Sequence, residues 1–100
     1  MLPKNRQPTH PGEVLLEEFL KPIGISQERF AKHLGRGWTQ PKVSAIIQGK
    51  RKITEKIALD FADAFGTTPE FWLNLQNKYN LWLAKQNHQL IHRLPSLKIA

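Results

Sequence analysis

Residues Ser26–Thr54 read SQERFAKHLGRGWTQPKVSAIIQGKRKIT. Ser26 is a good N-cap, and Glu28 in the turn after it favours the positive end of a helix. Phe30, Ala31 and Leu34 then make an inner face, and Gly35 closes the segment. After Arg36, Gly37 and Trp38 a second helix starts, with Thr39 as N-cap and Pro41 in its first turn. Val43, Ile46 and Ile47 fall at i, i+3 and i+4, one buried stripe, and Gly49 stops the helix. Eight of the chain's fifteen Lys and Arg lie between Ser26 and Lys56, against Glu28 and Glu55 alone, so this window holds +6 of the net +7. A compact helical pair carrying nearly all the charge points to a polyanionic partner.

Outward from this stretch the pattern stays helical. Pro11 suits the first position of a helix whose apolar side is Val14, Leu15, Phe19 and Leu20, with Glu17 and Glu18 facing water; Pro22 and Gly24 are expected to end it. Thr54 caps a fourth helix with Ile57, Ala58, Phe61, Ala64 and Phe65 inward and Gly66 at its end. Thr68 and Pro69 open a fifth. There Phe71, Trp72, Leu75, Tyr79, Trp82 and Leu83 share one face, while Leu73 and Leu81 lie off it. That helix fades near Gln89. No strand-like alternation precedes the tail, so the fold class is all-α. The expected organisation is a flexible basic arm over residues 1–9 with Lys4 and Arg6, one domain over 10–89, and a tail over 90–100.

One hundred residues, 40% of them hydrophobic, suit one small domain with a thin core that gains from dimerisation. The absence of cysteine excludes a disulfide framework and a thiolate metal site, and suits a cytoplasmic location. No apolar run is long enough to span a membrane. The N-terminal MLPKNRQPTHPG lacks the apolar segment of a signal peptide. Nucleic acid is the first choice of partner and an anionic membrane surface the second.

The two central helices fit a DNA-binding helix-turn-helix, with the motif over about 26–49. The second helix must enter a groove about 12 Å wide while the first braces it. Ala31 is the small residue where they cross, and Gly35 permits a positive φ in the turn. Opposite the buried stripe lie Pro41, Ser44, Ala45 and Gln48, with Gln40 and Lys42 on the flanks. These are side chains for base edges and phosphates rather than for a core.

SQERFAKHLG followed by PKVSAIIQGKRKIT resembles the lambda-repressor-like (XRE) helix-turn-helix. The flanks THPGEVLLEEFLKPIGIS and TPEFWLNLQNKYNLW narrow the likeness to antitoxins of the HigA/VapI type, over roughly Pro8 to Lys85. The turn is two residues longer than the usual pattern, Arg36 and Gly37 being the extras. The resemblance implies a five-helix lambda-repressor-like domain that represses its own operon on double-stranded operator DNA, as a homodimer, and silences a HigB-type toxin, usually a ribosome-dependent mRNA endonuclease. By position it implies base contacts from Gln40, Lys42, Ser44 and Gln48, and phosphate contacts from Gln27, Thr39, Lys50, Arg51 and Lys52. A regulator of the same family with no toxin partner is the alternative.

The remaining residues offer plainer readings. Lys32 and Lys56 read as solvated surface, Phe71 and Trp72 as core. Trp38 either covers the core or stands near the DNA backbone. For dimerisation the candidates are Leu73, Tyr79, Leu81 and Trp82, with the apolar tail residues Leu90, Ile91, Leu94, Leu97 and Ile99, which either pair with a partner chain or fold over the domain. His88 and His92, at i and i+4, lack a third ligand for a metal, and His33 lacks partners for catalysis. The chain is therefore expected to be non-enzymatic, with no metal and no cofactor.

Overall fold

The computed structural model describes residues 7–95, which form five helices and no strand. Helix α1 is continuous but not uniform: Pro11–Val14 is α-helical, Leu15–Leu20 is π-helical, and Lys21–Ile23 returns to α-helix. It is followed by α2 (Gln27–Leu34), α3 (Gln40–Ile47), α4 (Glu55–Phe65) and α5 (Pro69–Gln86). Ser26, Thr39, Thr54 and Thr68 all act as N-caps. Their hydroxyls accept the N–H groups of Arg29, Lys42, Ile57 and Phe71 at 3.1, 3.3, 3.3 and 3.1 Å. Each such cap contributes about 1 kcal/mol.

Gly24 ends α1 with φ 79°, but Pro22, expected to help end it, lies inside the last turn. The π-helical stretch explains this. The Lys21 N–H bonds back to the Leu16 carbonyl, one residue further than in an α-helix. The proline that follows has no N–H to place.

The core gathers around Phe61 of α4. Its ring lies 5.6 Å from Phe30, 5.6 Å from Trp38 and 5.1 Å from Trp72, while Phe19 of α1 reaches Phe65 at 4.7 Å and Trp72 at 5.1 Å. Leu15, Leu20, Phe30, Val43, Ile46, Phe61 and Trp72 are fully buried. Burying each contributes ~1.5–3 kcal/mol. One cluster thus ties all five helices together.

Helix α5 keeps most of its expected face but departs from it at Phe71 and Leu83. Its buried line is Trp72 and Gln76, continued by the half-buried Tyr79 and Asn80. Phe71 is 37% exposed and touches the core only edge-on, Leu83 is exposed, and Leu73 is half-buried against the core. Leu75 packs against the core and Tyr79 and Trp82 are half-buried, as expected, but the face is rotated away from Phe71 and Leu83 because Gln76 shares its centre with Trp72. From Leu83 onward the helix is exposed and ends at Gln86, so the i, i+4 spacing of His88 and His92 puts them on no shared helix face. Leu90, Ile91 and Leu94 are exposed, so this part of the tail does not fold over the domain. Lys4, Arg6, Leu97 and Ile99 lie outside the described residues.

Candidate nucleic-acid interface

Val43 and Ile46 anchor α3 from beneath at 0% exposure. That leaves Gln40, Pro41, Lys42 and Gln48 exposed and Ser44 and Ala45 half-exposed on the outer side. The Gln40 Nε2 donates to the Gln27 Oε1 at 3.3 Å, so the leading residue of α2 and that of α3 are joined across the motif. The Gln48 Nε2 donates to the Ser44 Oγ at 3.1 Å. Thr39 spends one lone pair on its cap, and its hydroxyl proton remains available to an acceptor. The structure thus brings Gln27, Thr39, Gln40, Ser44 and Gln48 onto one polar ridge.

Where α2 ends, three successive residues have positive φ: Gly35 at 64°, Arg36 at 47° and Gly37 at 83°. The Trp38 N–H closes this tight turn on the Gly35 carbonyl at 2.9 Å. Trp38 is half-buried. Its indole N–H donates to the Asp60 Oδ2 at 2.8 Å, and its ring lies against Phe61, so it covers the core. The Lys42 ammonium stands 6.0 Å from the centre of the same ring.

Beyond α3 the chain reverses through Gly49, φ 79°. The Gly49 N–H reaches the Ile46 carbonyl at 3.1 Å and the Lys50 N–H the Ala45 carbonyl at 2.8 Å, a Schellman closure. This throws Lys50, Arg51 and Lys52 out beside the end of α3, all three exposed. The segment is pinned at its far end by a residue that sequence reasoning passed over. Buried Gln76 of α5 accepts the Ile53 N–H at 2.8 Å and donates to the Asn80 Oδ1 at 2.8 Å. The one signal was the polar residue inside the quoted TPEFWLNLQ stretch.

The quoted His–Pro–Gly–Glu start has a second positioning role. The His10 Nδ1 accepts the Gly12 N–H at 2.9 Å and so caps α1. Its ring meets Tyr79 of α5 edge-on at 4.8 Å. Burial pulls the His10 pKa below 6.5, partly opposed by the charge of Glu13. Gly12 lies directly against the last turn of α3: a Cβ there would stand 1.9 Å from the Ile46 carbonyl oxygen. Glycine is therefore the residue that lets α1 lie on the back of α3.

A buried-backed helix with a polar outer ridge, braced by a second helix and flanked by three consecutive cations, is the architecture of a helix-turn-helix DNA-binding domain. The Helix-turn-helix family model matches residues 16–72. The chain is 39% identical to antitoxin HigA-1 of Vibrio cholerae over 84 residues, covering 84% of this chain and 77% of that one. A HigA-family addiction module antidote protein from Coxiella burnetii is 46% identical with a TM-score of 0.73, over 81% of this chain and 86% of that one. Antitoxin GraA in complex with its operator superposes with a TM-score of 0.80 at 37% identity, over 96% of this chain and all of that one. The chain belongs to the HigA antitoxins of the XRE helix-turn-helix family. Among the described residues no helix is long and apolar enough to cross a membrane.

Proposed function

We propose that this chain is the antitoxin of a type II toxin–antitoxin pair, which represses its own operon by binding operator DNA as a homodimer and neutralises a HigB-type RNase toxin. The observation that carries the reading is the Gln27–Gln40 bond. It joins a side chain suited to a phosphate at the start of α2 to one suited to an adenine edge at the start of α3. GraA, similar over nearly the whole of this chain, is a protein found on its operator. Gln40, Lys42, Ser44 and Gln48 read bases; Gln27, Thr39, Lys50, Arg51 and Lys52 hold phosphates. The work is binding rather than catalysis, without metal or cofactor, in the cytoplasm where the operator lies.

The test is a titration of a duplex from directly upstream of the gene against a scrambled duplex. Gln40→Ala should cost ~1–3 kcal/mol on the upstream duplex and little on the scrambled one. Arg51→Ala should weaken both alike and flatten the salt dependence by about one unit of slope per bound protomer. Equal wild-type affinity for the two duplexes refutes the operator reading. Co-purification with the product of the adjacent gene tests the toxin; a lone regulator brings none down.

A further inference from the structure

A groove of about 520 Å³ opens between the Gly35–Trp38 turn and the amino-terminal end of α4. Six cations line it: Arg36, Lys42, Lys50, Arg51, Lys52 and Lys56. No carboxylate does. Asp60 accepts the Trp38 indole N–H at 2.8 Å, and the Lys56 ammonium lies 3.7 Å from the same carboxylate oxygen. Like charges converging on one hollow repel, and the repulsion is relieved by an anion of high charge density.

A second observation comes from the backbone. Arg36 is the one non-glycine residue with positive φ among those described. A left-handed position is cheap for glycine and tolerable for asparagine, but strained for arginine. Strain of this kind collects where a side chain has work to do. Arg36 lines the groove, and its guanidinium can fork onto two oxygens of one phosphate. Lys56, on the first turn of α4, lines the same groove.

We propose that this groove seats a DNA backbone phosphate held by Arg36 and Lys56, so that the additional turn residue Arg36 and the first turn of α4 add to the phosphate contacts of Lys50–Lys52, which line the same groove. The inference rests on the DNA-binding reading above and adds two residues to it. Lys42 and the Trp38 ring form the inner wall of the seat, and the Trp38–Asp60 bond holds that wall in place.

The experiment uses the full chain and fluorescence anisotropy with the upstream and the scrambled duplex, from 50 to 200 mM salt. The variants are Arg36→Asn, which removes the charge but suits the left-handed backbone, Lys56→Gln, and Arg36→Lys. Each lost contact should lower the slope of log affinity against log salt by about 0.9 per bound protomer. Over this fourfold salt range that makes the loss of affinity about 3.5-fold smaller for each contact. The change should be the same on both duplexes, because a phosphate carries no sequence information, and Arg36→Lys should restore most of the slope. Thermal melts check that each variant is folded. Wild-type slopes in both Arg36→Asn and Lys56→Gln overturn the proposal, most clearly where Arg51→Ala does flatten the slope. Loss of wild-type preference for the upstream duplex sinks the operator reading instead and leaves the slope comparison standing.

Discussion

Gly12→Ala separates local from tertiary physics because the two predict opposite signs. Gly12 lies in helical backbone near the start of α1, where alanine ordinarily stabilises by up to ~1 kcal/mol. Here the added Cβ would stand 1.9 Å from the Ile46 carbonyl oxygen and 2.7 Å from the Ile47 Cα. Ordinary contact begins near 3.4 Å. The obstruction is backbone on both sides, so no side chain can swing away. The helices must part by about 1–1.5 Å, and a gap that size forfeits about half or more of the dispersion energy along the seam. Val14, Leu15 and Ile46 all lie buried near this seam. Overpacking costs ~1–3 kcal/mol, and a rigid obstacle places this site at the upper end. About 3 kcal/mol in a domain this small lowers Tm by roughly 12–24 °C. Far-UV circular dichroism melts measure it directly. Operator affinity measured well below the transition should also fall, because the displaced strip is the last turn of α3. A Tm equal to or above wild type would refute the close approach and with it the account of the HPGE start.

Gln76→Met keeps the volume but leaves the buried Ile53 N–H without its acceptor, which should cost ~1–3 kcal/mol by urea denaturation and accelerate hydrogen exchange at Ile53. His10 accepts a bond through Nδ1, which protonation destroys, and its folded pKa is lowered. The unfolded state therefore takes up the proton first. The contribution is complete above about pH 6.5 and declines as pH falls below it; His10→Asn, which caps without titrating, should remove that part of the pH dependence of the urea midpoint. Leu81 is 57% exposed on the free side of α5, beside the half-buried Trp82. If these residues form the two-fold contact, with Tyr79 at its edge, Leu81→Glu should weaken dimerisation by at least about tenfold. Sedimentation at micromolar concentration reads this, and an unchanged dimer would move the interface elsewhere.

The part of the molecule governed by short-range chemistry was legible in the amino-acid string. Ser26, Thr39, Thr54 and Thr68 cap where their hydroxyls reach an N–H three residues on. Val43 and Ile46 turn inward because helical periodicity leaves them no other face. The basic run at Lys50–Lys52 needs only the Gly49 reversal to stand in solvent beside α3. These are interactions within a turn or two, and residue type at a given spacing decides them.

What distant elements do to one another was settled only in three dimensions. Nothing local marks Gln76 as the anchor of the basic segment, since its partner Ile53 lies 23 residues away. Pro22 reads as a helix stop until the π-helical turn before it removes the conflict. Gly12 looks like a poor helix former until α3 is laid against it. Arg36 and Lys56 are separate surface cations in the sequence and line one groove in the fold. Spacing along a chain constrains a side chain's direction, whereas its neighbours depend on how the helices pack, and that packing is set by burial summed over the whole core.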